Sequence, residues 1–193
     1  MDIYTIGYAG LETGAFVILL KMYGINALID VRSVPYSGYM PEYNKDNLEK
    51  LMRLQNIVYR HYPQFGIKQE DRSLYTDGML DFEKASRSEV FREALGRLTS
   101  AGGNWTFCLM CSEKDPKDCH RGIWLGHAFA KEGINMRHLT HGGAVFSQEK
   151  IDNDLFDRYH DPTPSLFEKP FSREEEIEEA YRKANREIAG KFA

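Results

Sequence analysis

The chain alternates short apolar runs with longer stretches of helical period. Asp2 to Ile6 is a β-prone run ended by Gly7, and Glu12 to Tyr23 then sets Phe16, Leu19, Leu20 and Tyr23 at helical spacing before Gly24. Ala27 to Val31 is apolar except for Asp30, is too short for a helix, and stops at the turn-rich segment Arg32 to Gly38, which predicts a buried second strand. Asn44 is placed to cap a helix through Leu48, Leu51 and Met52, and Ile57 to His61 supplies a third strand. Ser88 opens a helix carrying Phe91, Ala94, Leu95 and Leu98, closed by Gly102-Gly103 ahead of a fourth strand, Trp105 to Cys111. Asp118 is expected to cap a helix running through Ile123, Leu125, Ala128 and Phe129 to Glu132, with Gly133 past its end, and Met136 to Thr140 is the last strand.

Strands alternating with helices imply an α/β fold: three layers, a mostly parallel sheet of about five strands, right-handed crossovers and helices on both faces. The polar, glycine-punctuated stretch Tyr62 to Asp81 is long for a plain connection and is a candidate lid. Ser147 to Tyr159 has helical period, and Asp161-Pro162-Thr163-Pro164 cannot continue it. Ser172 and Glu175 form a capping box ahead of a narrow apolar stripe, Ile177, Tyr181, Ala184 and Ile188, on a charged helix. The expected division is an α/β domain over residues 1–160, then a linker and docked C-terminal helix over 161–193. The same stripe could instead join two copies, so a homodimer through the C-terminal helix stays open.

Composition narrows the class. At 193 residues, 42% hydrophobic and 28% charged, the chain can bury one core and is neither disordered nor fibrous. No stretch reaches the roughly 18–20 apolar residues of a membrane span, and the first residues carry no leader pattern, so no membrane partner is expected. Cys108, Cys111 and Cys119, an odd set crowded into one segment, suit reduced thiols and a cytoplasmic location. A net charge of −4 excludes a global basic field for long nucleic acids. A local nucleic-acid or protein-binding surface built on the arginines of a cationic cleft, the Tyr62 to Asp81 loop and Tyr36, Tyr39 and Tyr43 remains compatible.

Ligand crevices of open α/β sheets lie beyond the carboxyl ends of the strands. Polar side chains gather there: Tyr8 after the first strand, Asp30, Arg32 and Ser33 at the second, Arg60 and His61 at the third, Cys111 to Glu113 at the fourth, His138 and His141 at the last. Asp30 sits in an apolar run and needs a partner, for which Arg32 is a candidate. With Asp118 as cap, Cys119, His120 and Arg121 would occupy a helix first turn, where free N–H groups favour an anion and depress a thiol pKa. Cys119 is therefore the candidate nucleophile, with Glu113 and Asp30 as the other candidate catalytic groups. Arg32, Ser33, Cys111, His120, Arg121 and Tyr8 are the candidate ligand-binding set, for an anionic small molecule such as a nucleotide. Neighbours Cys119 and His120 are expected to point apart, which leaves Glu113, His61, His138 or His141 as the base. A metal site from Cys111, Cys119, His120 and a later histidine lacks the short paired spacing of zinc knuckles. No metal or cofactor is therefore expected, with a zinc-stabilised domain kept as an alternative. Against these roles stand ordinary ones: Cys119 as a small apolar filler, Asp30 in a structural ion pair, His127 as a satisfied interior residue.

At Thr5-Ile6-Gly7-Tyr8, Asp30-Val31-Arg32-Ser33 with Pro35 and Ser37, Pro41-Glu42-Tyr43-Asn44, Cys111-x-Glu113 and Cys119-His120-Arg121, the chain resembles the family known as domain of unknown function 488. The resemblance spans residues 3 to about 141 and implies an α/β fold, without implying a reaction. Members of that family usually carry histidine where this chain has Tyr8, so the resemblance implies no base at the first strand end.

Overall fold

The computed structural model describes residues 1–101, 103–160 and 171–192. Among them six strands, β1 (Asp2–Gly7), β2 (Ala27–Asp30), β3 (Val58–His61), β6 (Phe107–Cys111), β7 (Asn135–Leu139) and β8 (Val145–Ser147), form one sheet. Their order across it is β3-β2-β6-β1-β7-β8. The first five run parallel and β8 returns antiparallel to β7, which makes six strands where about five were expected.

Alternation along each strand sends neighbouring side chains to opposite faces. On one face Ile6, Leu28, Cys108 and Met110 pack against α1 (Thr13–Met22) and α2 (Lys45–Leu54) through Phe16, Leu20, Leu48 and Met52. On the other, Ile3, Ile29, Leu109 and Met136 meet a larger helical layer: α3 (Phe82–Arg87), α4 (Glu89–Ser100), α5 (His127–Lys131), α6 (Gln148–Tyr159) and α7 (Arg173–Gly190). Central β6 is buried throughout, so it reads as a continuous apolar run rather than an alternating one. The stripe of α7 is spent on this chain's own core through Tyr181, Ala184 and Ile188, and Ser172 with Glu175 closes its capping box. The expected linker Asp161 to Pro164 and the Gly102 of the helix-closing pair lie outside the described residues.

Tyr62 to Asp81 is not an open lid. Phe65 is fully buried, and the segment folds into 3-10 turns and the hairpin β4 (Tyr75–Thr76) with β5 (Met79–Leu80). Asp77 and Gly78 both adopt positive φ, the backbone that a two-residue hairpin loop demands. Asn44 does not cap α2 with its side chain; its Oδ1 accepts instead from the Ser37 amide at 2.6 Å.

The chain leaves β1 leftward through α1 on one face, and leaves β6 rightward through the helix after it on the other. β1 and β6 are neighbours whose connections pass to opposite faces of the sheet, so a crevice opens between their carboxyl ends.

Candidate functional site at the switch point

β2 ends in a closed polar anchor. Asp30 is fully buried and accepts from the Arg32 backbone amide (3.1 Å), Arg32 Nε (2.9 Å), Arg32 Nη2 (2.6 Å) and the Tyr59 hydroxyl (2.7 Å). Arg32 also donates to the Tyr8 hydroxyl (2.9 Å) and the Tyr43 carbonyl (2.9 Å), which leaves one Nη1 proton of its five donors unused. Burial, and then the neighbouring Asp30 carboxylate, push the Tyr59 phenol up; burial disfavours the charged guanidinium of Arg32, but Asp30 outweighs it and holds the cation in place. Tyr43 stacks on Tyr8 from a fully buried position, so it contributes no recognition surface; Tyr36 and Tyr39 are exposed.

β6 ends in a cluster. Glu113 Oε2 accepts from Cys111 Sγ at 2.7 Å and from Cys119 Sγ at 3.0 Å, while His120 Nδ1 lies 3.6 Å from the first sulfur and 3.7 Å from the second. The Cys119–His120 contact corrects the expectation that these neighbours point apart. Cys119 is extended (φ −134, ψ 142), and the helix starts one residue later than an Asp118 cap would place it. Asp118 closes the 3-10 turn Pro116–Asp118, whose own cap is Asp115, accepting from Lys117 N at 2.9 Å. Cys119 takes the cap position: its carbonyl accepts from Gly122 and Ile123, and its Sγ accepts from the Arg121 amide at 3.4 Å. His120 Nε2 donates to the Val31 carbonyl at 3.1 Å, which turns Nδ1 toward the sulfurs. The helix then continues as a π-helix over Arg121–Gly126 before α5, a widening common at functional sites.

Burial raises the thiol pKa of both cysteines, but the environment separates them. Cys111 rises further because Cys119 and Glu113 oppose its ionisation. For Cys119 burial is outweighed by the Cys111 hydrogen bond and the charges of Arg121 and His120, which bring it to about 6. Burial also raises Glu113, and the two thiol hydrogen bonds reverse this and hold its carboxyl at about 2. Cys108, three residues from Cys111 and on the other face, is a core residue.

Arg121 is fully buried, and its fork donates to the carbonyls of Glu113 (2.5 Å) and Lys114 (2.9 Å). It clamps the loop after β6 instead of facing a ligand. Gly7 makes room for that loop: a Cβ there would lie 1.7 Å from the Glu113 carbonyl oxygen.

A cleft of about 270 Å³ opens above, walled by Tyr8, Arg32, Ser33 and Lys68 and floored by Cys111, Glu113 and His120. Cys119, 1% exposed, lies behind Glu113 and off the cleft wall. Of the histidines considered as bases, His61 bonds the Arg32 carbonyl and His141 the Gly7 carbonyl. His138 is buried in a relay that runs from Thr5 Oγ1 (2.8 Å) through the ring to Gln148 Oε1 (2.8 Å), with Gln148 Nε2 reaching the Gly122 carbonyl and the Tyr181 hydroxyl. His127 stacks on Tyr181 and bonds Glu178. A larger cavity, about 350 Å³, belongs to the helical layer around Phe82, Trp124 and Tyr181 and holds no thiol. Lys68, Tyr59, Gly7 and Gln148 were not among the residues expected from the sequence. For Tyr59 the signal was an aromatic on the strand beside Asp30, and for Gly7 its place in the Thr5-Ile6-Gly7-Tyr8 element at the first strand end.

Neither the curated proteins nor the solved structures contain a match to this chain. A family model described as "Domain of unknown function DUF488" matches residues 13–125. That stretch is more than half the chain and takes in the Asp30 to Ser33, Pro41 to Asn44, Cys111-x-Glu113 and Cys119-His120-Arg121 elements; Thr5 to Tyr8 falls before it. By that match over more than half of its length, the chain belongs to the family of domain of unknown function DUF488.

Proposed function

We propose that the protein is an enzyme that binds a small anionic ligand, of the phosphate-bearing kind that includes nucleotides, in the cleft between the ends of β1, β2 and β6, and acts on it with the cluster beneath. The observation that carries this reading is the coincidence of cleft and cluster: whatever enters meets Cys111, Glu113 and His120. A volume of this size suits a small molecule or the reacting end of a larger one. The donors on the walls favour an anion. They are the Lys68 ammonium, the unused Nη1 proton of Arg32 and the hydroxyl of Ser33, whose oxygen already accepts from the Lys68 amide at 2.8 Å and so has its proton free to give.

Within this reading Glu113 orients the two thiols, since its carboxylate accepts from both sulfurs and its pKa, held at about 2, keeps it ionised while the Cys119 proton leaves to solvent. Cys119 is the thiol that ionises more readily, and Glu113 must swing aside before it can attack a bound ligand. Arg121 positions the loop, and Asp30 positions Arg32. The exposed Tyr36 and Tyr39 support a second use of the rim, stacking on a single-stranded nucleic acid.

Thermal denaturation against inorganic phosphate, sugar phosphates, nucleotides and their neutral analogues tests the proposal. An anion should raise the melting temperature of the wild type, and Lys68→Glu should weaken it by about tenfold, about 1.4 kcal/mol. Equal effects of charged and neutral analogues, or an anion response that Lys68→Glu leaves unchanged, would contradict it. A short oligonucleotide whose binding falls with salt would instead favour the nucleic-acid reading.

A further inference from the structure

The cluster under the cleft holds more ligand chemistry than a thiol enzyme needs. Cys111 Sγ, Cys119 Sγ, His120 Nδ1 and a Glu113 carboxylate oxygen all lie within 4.8 Å of one another. We infer that these four side chains form a binding site for a zinc-class divalent cation, with Cys111, Cys119 and His120 as the inner donors and Glu113 in the fourth position, facing the cleft.

Three independent features carry this. The first is size. Zinc–sulfur bonds of ~2.3 Å and zinc–nitrogen bonds of ~2.0 Å at tetrahedral angles set sulfur and nitrogen ~3.5 Å apart. The two S···N separations are 3.6 and 3.7 Å. The two S···O separations, 2.7 and 3.0 Å, lie inside the corresponding edge, so Glu113 would move outward, toward the cleft, to take its place.

The second is orientation by outer partners. Metal-bound histidines characteristically give their other ring N–H to a carbonyl or carboxylate, which fixes the tautomer. His120 does this at Val31, with Nδ1 toward the sulfurs. The Arg121 amide donates to Cys119 Sγ, and the Ser112 hydroxyl donates to Glu113 Oε1 at 3.1 Å, leaving Oε2 for the cation.

The third is charge. Two thiolates and a carboxylate around a dication leave one negative charge, and the buried Arg121 guanidinium two residues past Cys119 balances it. Without a cation, three groups that can each be anionic share one buried spot. Binding balances as a proton exchange: the dication enters, and any thiol proton still held leaves to solvent. The sequence offers three of these donors but not the site, because seven residues separate the two sulfurs, on a strand end and a helix cap, and the fourth donor is the glutamate between them rather than a later histidine.

This inference deepens the proposed function, since an ion there would sit beneath the anion cleft, yet its test needs no ligand. Metal-stripped protein is titrated with cobalt(II) and read by visible and near-ultraviolet absorption, then with zinc to displace the cobalt. Expected are saturation at about one equivalent per chain and a sulfur-to-cobalt charge-transfer band. Cys119→Ser should cut that band to about half, Cys108→Ser should leave it whole, and Glu113→Gln should keep it while changing the visible d–d envelope. No band in the folded wild type, or a band that needs Cys108 or survives Cys119→Ser at full strength, overturns the site. The wild type and Cys108→Ser decide the matter even if Cys119→Ser fails to fold. Anion stabilisation measured on the metal-stripped protein stands or falls separately.

Discussion

Arg121 holds Glu113 in place from beneath: its Nη1 donates to the Glu113 carbonyl at 2.5 Å from a position with no solvent exposure. A planar fork is needed to reach two successive carbonyls at once, and lysine cannot reproduce it. Arg121→Lys should therefore cost about 2–4 kcal/mol by denaturant unfolding, from the unpaired carbonyls of Glu113 and Lys114. A change within about 0.5 kcal/mol would show that the loop needs no clamp.

Gly7 tests the same loop from the other side. Because a Cβ would overlap the Glu113 carbonyl at 1.7 Å, Gly7→Ala must displace backbone rather than a flexible side chain. The expected result is a loss of about 2 kcal/mol or more, together with loss of the thiol–carboxylate contacts that depend on where Glu113 sits. Wild-type stability in Gly7→Ala would contradict the loop placement.

Asp30→Asn leaves the Arg32 charge buried without its counter-ion and should destabilise by about 3–5 kcal/mol. Tyr59→Phe removes one hydrogen bond to that carboxylate and should cost about 1.5–3 kcal/mol. If Asp30→Asn cost less than Tyr59→Phe, the Asp30–Arg32 ion pair would not be what holds the anchor together.

The relay through His138 makes a pH prediction. Burial disfavours the imidazolium and, outweighing the Gln148 hydrogen bond, brings His138 to about 4 from an ordinary 6.5. Between those values the unfolded chain holds the extra proton, so this contribution is whole above pH 6.5 and is lost as pH falls toward 4. The loss should reach about 3 kcal/mol. Unfolding midpoints at pH 7 and 4.5 should differ less in His138→Gln than in the wild type; an equal difference would place the titration elsewhere.

Much of this was legible in the sequence, and the exceptions have local causes. The five parallel strands follow from short apolar runs between helical periods, and Asp30 signalled its need for a partner by sitting in such a run. β8 leaves no signal in the sequence because Val145-Phe146-Ser147 is too short to show alternation. The Asp77-Gly78 hairpin was a readable turn signal inside a stretch that looked like one loop. The cap lies one residue beyond Asp118 because Asp115 and Pro116 spend Asp118 on a 3-10 turn, and that single step brings His120 against Cys119. Arg121 looked like an anion ligand because its type and place suit one. Only the fold of the loop reveals that two carbonyls take its fork.

The claim on which the rest depends is that one cleft at the ends of β1, β2 and β6 receives an anionic ligand directly above the cluster. A crystal structure of the protein grown with the phosphate-bearing compound that stabilises it most would test this directly. The account predicts its anionic group against Lys68, Ser33 and Arg32, with the rest of the ligand over Cys111 and Glu113. Density in the helical-layer cavity by Trp124, with the switch-point cleft holding only solvent, would contradict it.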